Sequence, residues 1–253
     1  MNFFSRLKLI GKTASHNRSD YWNYQVQIGR YYLENFVRPF SRGKKIMDVG
    51  CGEGGVLSAF EQQGYSCTGL EYSADRMEYA RNETVGNSRI ILGDIQKYQS
   101  SEKYNVVLLL DVIEHLADKT TALRNMKELL EPGGIVIVSF PPFRSPFGGH
   151  QQVMQSKLKY FVFVHLLPKS LYGWLLRKVE KQNVEKHLSN YDTGLTIKQF
   201  EKLVQQADLK IVKKEMYLVR PRQAFRFHLK IRKYRLSLLQ EFFSSGVVYI
   251  LSR

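Results

Sequence analysis

Four acids stand where apolar runs end. Asp48 lies in Ile46-Met47-Asp48-Val49, Glu71 closes Thr68-Gly69-Leu70-Glu71, Asp94 follows Leu92-Gly93, and Asp111 follows Val106 to Leu110. A half-buried carboxylate costs a few kcal/mol of lost hydration unless a donor satisfies it, and a diol, an amine or a cation would serve. A strand-end acid often only caps the next helix. Four in succession, the first beside a glycine turn, exceed what capping requires. That turn, Gly50-Cys51-Gly52-Glu53-Gly54-Gly55, places four glycines within six positions. Glycine there permits positive φ and lets the backbone approach a ligand with no Cβ in the way. The N–H groups at the helix start are then expected to face that ligand. Three histidines, His115, His150 and His187, could supply a base near neutral pH.

The elements that must position these groups alternate. The pattern predicts strands at 46–49, 66–71, 89–92, 104–110 and 135–140, with helices at 54–63, 74–82 and 118–130. Such alternation implies right-handed βαβ units and a parallel sheet covered on both faces, and runs such as Val-Val-Leu-Leu-Leu suit that burial. Ligands of such sheets bind at the carboxyl ends of the strands, where the acids fall. A helix at 19–37, capped by Ser19 or Asp20, precedes the first strand. A helix at 196–206 capped by Thr196 leads to strands at 209–219 and 246–252.

The pattern D-x-G-x-G-x-G over Asp48–Gly54 resembles motif I of the class I S-adenosylmethionine (SAM)-dependent methyltransferases. A glycine turn alone would leave a dinucleotide site open, since Gly55 lies three positions after Gly52. Glu114-His115-Leu116 after the fourth strand and Leu130-Glu131-Pro132-Gly133-Gly134 before the fifth favour the methyltransferases. The resemblance covers roughly residues 40 to 142 and returns at 194–212. It implies an α/β fold with a seven-stranded, mostly parallel sheet of order 3-2-1-4-5-7-6, strand 7 antiparallel, and helices on both faces. SAM is the implied cofactor. Glu71 would accept both ribose hydroxyls and Asp94 would meet the adenine amine. Asp48, Gly50, Cys51, Gly52, Tyr72, Ile95, Asp111 and Val112 complete the implied cofactor set. Tyr21, Trp22 or Arg30 on the preceding helix would reach its methionine end. The nearest look is to methyltransferases of the ubiquinone-biosynthesis type, which share the E-H-L and an apolar lid with L-L-P-K, here Leu166 to Lys169. Ser145-Pro146-Phe147-Gly148-Gly149-His150 departs from that pattern and leaves room for a sugar or lipid-linked acceptor.

The expected organisation is an N-terminal helical cap at 1–40, a cofactor-binding core at 41–142, a lid insertion at 143–192, and the rest of the core at 193–253. Net charge is +15 in 253 residues, of which residues 1–150 carry +2 and residues 151–253 carry +13. An anionic acceptor, an anionic membrane surface or nucleic acid would explain that imbalance. Residues 220–235 hold seven Lys and Arg and no acid, with Phe225, Phe227 and Tyr234 interleaved. The lid is aromatic and basic, suiting a lipid-linked acceptor at a membrane surface, or else simply packs as a helical subdomain. Met1 to Lys12 mixes aromatic and basic residues and either lies on a membrane surface or is a frayed terminus or a helix packed on the domain. Two cysteines 16 positions apart give neither a disulfide framework nor metal spacing, so a cytoplasmic setting is expected, and the basic, aromatic segments leave peripheral membrane contact open. The acceptor is expected to be a small or lipid-linked hydroxyl, with His150 or His115 as base. RNA methylation, or SAM binding without catalysis, is the alternative.

Overall fold

The computed structural model describes residues 18–83, 88–180, 182–235 and 239–253. The aromatic and basic segment Met1 to Lys12 lies outside them. Helix α1 (Arg18–Tyr32) is the first element among the described residues, with Ser19 and Asp20 inside its first turn, and widens into a π turn at Leu33–Val37. Strand β1 (Lys45–Val49), helix α2 (Gly55–Glu61), strand β2 (Ser66–Glu71), helix α3 (Ala74–Glu83) and strand β3 (Arg89–Leu92) follow. Then come strand β4 (Tyr104–Leu110), helix α4 (Lys119–Glu128) and strand β5 (Leu130–Phe140). After helices α5 (Lys169–Val179), α6 (Val184–Thr193) and α7 (Ile197–Gln206), strand β6 (Lys210–Val219) leads to helix α8 (Pro221–Arg226) and strand β7 (Arg232–Tyr234). Helix α9 (Gln240–Phe243) and strand β8 (Gly246–Ser252) close the chain.

The sheet has eight strands in the order β3-β2-β1-β4-β5-β8-β6-β7. The expected order is therefore present, with β8 in the place of the seventh strand and one strand added at the edge. That extra strand is part of the basic run. Its Arg232, Lys233 and Tyr234 pair antiparallel with Val219, Tyr217 and Met216 of β6. A three-residue edge strand carrying exposed cations discourages further edge pairing. No apolar alternation marks it in sequence. Strands β1 to β5 pair in parallel, with Asp48 level with Gly69 on β2 and Leu108 on β4. β5 starts five residues earlier than the apolar run at 135, because Leu130 pairs with Tyr104 before a register shift resumes at Ile135; Gly133 takes φ 76° within it.

The chain divides into two compact units. In the first, residues 17–140, 200–215 and 248–253, β4 is almost wholly enclosed and Phe140, Phe200 and Tyr249 pack ring to ring at 4.6 to 6.2 Å. Gly29 lets α1 approach α2 closely, since a Cβ there would sit 2.7 Å from that of Ala59. Beyond the outermost residues, which lie outside the description, the second unit comprises 141–199 and 216–247. It has its own core of Met154, Leu158, Tyr172, Leu176 and Leu188. Glu180 ties that core together by accepting from the backbone N–H groups of Gln155 and Ser156 at 3.0 and 3.1 Å. Thr196 caps α7 as expected, its hydroxyl accepting from Gln199 N at 3.2 Å while Gln199 Oε1 accepts from Thr196 N at 2.9 Å. That reciprocal pair is a capping box. No helix among the described residues is long and apolar enough to cross a membrane.

Candidate cofactor site

The glycine turn folds as its composition requires. Gly50, Gly52 and Gly54 have φ of 74°, 58° and 82°, where a Cβ would be strained. At Gly50 the missing side chain makes room for Val112, whose Cγ2 would lie 2.5 Å from a Cβ. The turn after β1 and the segment after β4 are thus brought into contact, as a site spanning neighbouring strand ends needs. Cys51 is buried, and its Sγ points back onto Gly69, 2.7 Å from where a Cβ would stand. Only its backbone remains on the turn. Burial, followed by the charges of Asp48 and Glu71, pushes its thiol well up, so it is held as the neutral SH.

Glu71 ends β2 buried at 5 % exposure, and its two oxygens accept from Gly52 N at 2.8 Å and Ser73 N at 2.9 Å. Each oxygen retains a second acceptor site, which is what a vicinal diol would use. The turn's other N–H groups are largely taken as well. Gly54 N donates to Cys51 O at 3.0 Å and Gly55 N to Gln25 Oε1 at 3.3 Å. The expectation of free backbone donors facing a ligand is therefore corrected for these positions. In their place, side chains line the turn.

Two of those side chains were not foreseen from sequence. Gln25 of α1, buried, spans the turn between Gly55 N and Cys51 O, the latter at 3.5 Å. Arg76 of α3 makes a two-point pair with Glu53, Nε at 3.2 Å and Nη2 at 3.0 Å, and its guanidinium lies 5.8 Å from the Tyr21 ring centre. A helical glutamine or arginine has no local signal that separates it from a solvated face. Arg30 instead donates to Gln62 at 3.0 Å, near the far end of α2. Tyr72 is 79 % exposed beside Glu71.

Asp48 is buried at 3 % exposure. Burial, with the charge of Glu71 second, pushes its carboxyl up to about 8. At neutral pH it is mostly protonated, and a nearby cation would draw it into the ionised form. Asp94 behaves more locally: its carboxylate accepts from Gln96 N at 2.9 Å and from the Gln96 amide, closing the turn after β3. Ile95 is buried, and its carbonyl accepts from Asn125 at 2.7 Å. Asp111 takes φ 57° after β4, its N–H donating to Ser139 O at 2.9 Å. His115 lies exposed in the short turn Ile113–His115 that follows, beside the buried Glu114.

His150 belongs to the second unit, half-buried with φ 56° in the loop after β5. That loop is firmly tied: Gln151 donates to Pro146 O at 2.7 Å, and His165 meets Phe143 O at 2.6 Å through Nε2. His187 is enclosed beside Glu180, and burial holds its pKa below the ordinary value, with Glu180 opposing.

A mostly parallel sheet of this order, with a left-handed glycine turn after β1 and an acid closing β2, is the fold of the class I, Rossmann-like, SAM-dependent methyltransferases. The chain belongs to the methyltransferase domain family, whose model matches residues 21–214. It is similar to the ubiquinone biosynthesis O-methyltransferase of Haemophilus ducreyi, 33% identical over 107 residues, 38% of this chain and 45% of that protein. The chain thus spans less than half the length of that curated relative. Among solved structures it is similar to the plantazolicin methyltransferase BamL, in complex with a triazolic desmethylPZN analog and SAH. The TM-score is 0.58 at 14% identity, covering 93% of this chain and 86% of that one. A TehB-like SAM-dependent methyltransferase from Corynebacterium glutamicum gives 0.56 at 15%, covering 94% and 96%. At these identities the structural likeness is one of fold.

Proposed function

We propose that this chain transfers the methyl group of SAM to a hydroxyl of a small or lipid-linked acceptor. One observation carries the cofactor assignment: the Glu71 carboxylate, fixed by Gly52 N and Ser73 N at the end of β2, sits against a glycine whose side-chain position must stay empty. Glu71 accepts the ribose hydroxyls in this reading, and an acid there would repel a 2′-phosphorylated nucleotide. Asp48 meets the cationic end, and Asp94, Ile95, Asp111 and Val112 border the adenosyl group.

When bound, SAM supplies an electrophilic methyl carbon on a sulfonium. The chain's own task is then to align the acceptor in line with that carbon and to exclude water, which lowers the barrier by several kcal/mol. A histidine of this chain would hold the acceptor hydroxyl by a hydrogen bond and take up its proton. His150 is the base in this scheme, with His115 as the other candidate. His150→Ala is expected to slow turnover at least tenfold, ~1.4 kcal/mol of barrier, with SAM affinity intact. Undiminished turnover would remove His150 from the mechanism. Extracts incubated with methyl-labelled SAM and analysed by mass spectrometry test the function itself. Label appearing on a hydroxyl of a low-mass or lipid-linked product is expected; label only on nucleic acid, or none, would overturn the reading.

The composition and surface of the second unit support an anionic membrane as its partner. Its residues 141–199 and 216–247 hold 16 Lys and Arg against four acids. One face of α5 is buried through Tyr172 and Leu176, while Leu171 and Trp174 stand exposed with the Lys178 ammonium 4.3 Å from the Trp174 ring centre. An apolar, aromatic and basic surface of that kind suits an anionic bilayer. Co-sedimentation with vesicles containing anionic lipid should fall several-fold for Trp174→Ser with Leu171→Ser. Equal binding of wild type to neutral and anionic vesicles would argue against it.

A further inference from the structure

The loop after β5 and the segment packed on it enclose three acceptor atoms with no hydrogen-bond partner in the protein: Gln151 Oε1, Gln152 Oε1 and His165 Nδ1. Gln151 and His165 are wholly buried. The other end of each of these two groups fixes its polarity. Gln151 Nε2 donates to Pro146 O at 2.7 Å, so the amide oxygen is the end left over. His165 Nε2 lies 2.6 Å from Phe143 O and must be the protonated nitrogen. Burial, opposed by that carbonyl, holds the ring's pKa below the ordinary value, so the ring is neutral near pH 7 and Nδ1 presents a lone pair. The groups share one layer. Pro146 O accepts from both Gln151 Nε2 and Phe163 N, and Gly149 lies on His165, where a Cβ would stand 2.4 Å from that of the histidine. Gln152 follows Gln151 in the same short turn. Buried acceptors without donors are few in folded proteins, and three in one layer point to donors that a ligand brings. Toward solvent, Phe161 is 61 % exposed between the exposed Tyr160 and Val162, and its carbonyl holds Gln151 Nε2 only at 3.4 Å, the long limit of a hydrogen bond.

The donors this layer calls for are neutral. Residues 141–179 hold six Lys and Arg and no acid, and Glu180, the next acid in the chain, is engaged by Gln155 N and Ser156 N. A buried ammonium there would have no counter-charge. A carboxylate or phosphate would set its acceptors against acceptors already present. Hydroxyls donate without charge, and several neighbouring acceptors match several hydroxyls. We infer that Gln151, Gln152 and His165 form a subsite for a polyhydroxylated, saccharide head on the acceptor. This rests on the acceptor-hydroxyl reading above and narrows it from a small or lipid-linked hydroxyl to a sugar-bearing molecule. The three side chains bind and orient that head and take no part in proton transfer.

Octyl β-D-glucoside, octyl β-D-galactoside and octyl α-D-mannoside, each kept below its micelle-forming concentration, present three hydroxyl arrangements on one chain length. Octyloxyethanol is the single-hydroxyl control and octylamine the cationic one. Saturation-transfer NMR titrations of wild type are expected to show one or more of the glycosides bound about fivefold or more tightly than either control. Gln152→Met keeps the side-chain length and removes the orphaned oxygen, and His165→Gln keeps an amide N–H for Phe143 O while losing the Nδ1 lone pair. Each should weaken the preferred glycoside about fivefold or more in a protein that still melts cooperatively. If His165→Gln does not melt cooperatively, Gln152→Met decides alone. Unchanged glycoside affinity in either folded variant would overturn the subsite, as would equal or tighter binding of a control. Binding of no glycoside would assign the acceptors to ordered water and overturn it too. Calorimetry with S-adenosylhomocysteine on the same wild-type protein keeps the two readings apart. That ligand bound without a glycoside preference sinks the subsite alone, whereas a glycoside preference without it sinks the SAM reading and leaves the saccharide site standing.

Discussion

Gly52→Val is expected to abolish detectable binding of S-adenosylhomocysteine, a loss of at least a hundredfold, while the protein still folds. The first reason is conformational. Gly52 has φ 58°, and a residue with a Cβ in the left-handed region pays ~1–2 kcal/mol, more when branched at Cβ. The second is spatial. The new Cβ would press on Gln25 Nε2 and Arg76 Nη2 at 2.9 Å, and its two methyls would fill the volume that the ligand must enter. Backbone strain of this size, in a domain of this length, shifts the melting temperature by roughly 2–4 °C per kcal/mol, so folding should survive. Gly52→Ala is the control, carrying the φ strain with fewer atoms in the cleft and expected to bind between the two. Unchanged affinity in the valine variant, measured by calorimetry on protein with a cooperative melt, would count against the turn as the cofactor site.

How far the sequence carries depends on where each signal is stored. The strand-end acids and the glycine turn are local: period-two or continuous apolar runs fix the strands, and an acid next to a strand end can be placed without a tertiary structure. Alternation and short connections implied parallel βαβ units, whereas the strand order came with the resemblance to the class I methyltransferases. β7 was not legible, since Arg232-Lys233-Tyr234 has no apolar face and forms only because β6 offers an open edge. Gln25 and Arg76 were missed because their role depends on contacts across 27 and 24 positions to Gly52, which no spacing rule contains. The occupancy of the turn's N–H groups by Glu71, Cys51 O and Gln25 was hidden for a related reason. A glycine-rich turn read alone looks like a row of free donors, and only the fold shows which neighbours claim them. Asp94 is the intermediate case. Its position was legible, yet the capping of Gln96 that occupies it is the outcome that a single acid suggests and four together obscure.

Asp48 gives the second large effect, on stability. Its carboxyl is pushed up to about 8 in the fold, first by burial and then by Glu71, against 3.8 for the ordinary group. Below about pH 4 it is protonated whether folded or not and contributes no pH dependence. Between about pH 4 and 8 the folded protein holds a proton that the unfolded chain has released, so stability from this group falls as pH rises, by at most ~1.4 kcal/mol per unit. Ligand-free wild type is therefore expected to lose stability toward pH 8. Asp48→Asn keeps the shape, removes the ionisation, and should lack that component of the loss, making the variant the more stable of the two at pH 8 by a few kcal/mol. Urea melts at pH 5, 6.5 and 8 on both proteins measure the difference, and parallel curves would show that Asp48 does not hold its proton in the fold. The same proton reports on the ligand. A cation seated beside Asp48 favours the carboxylate, so SAM binding near pH 7 should release a proton, seen as a binding enthalpy that changes with the buffer's ionisation enthalpy. Asp48→Asn should lose that dependence, because its amide has no proton to give up.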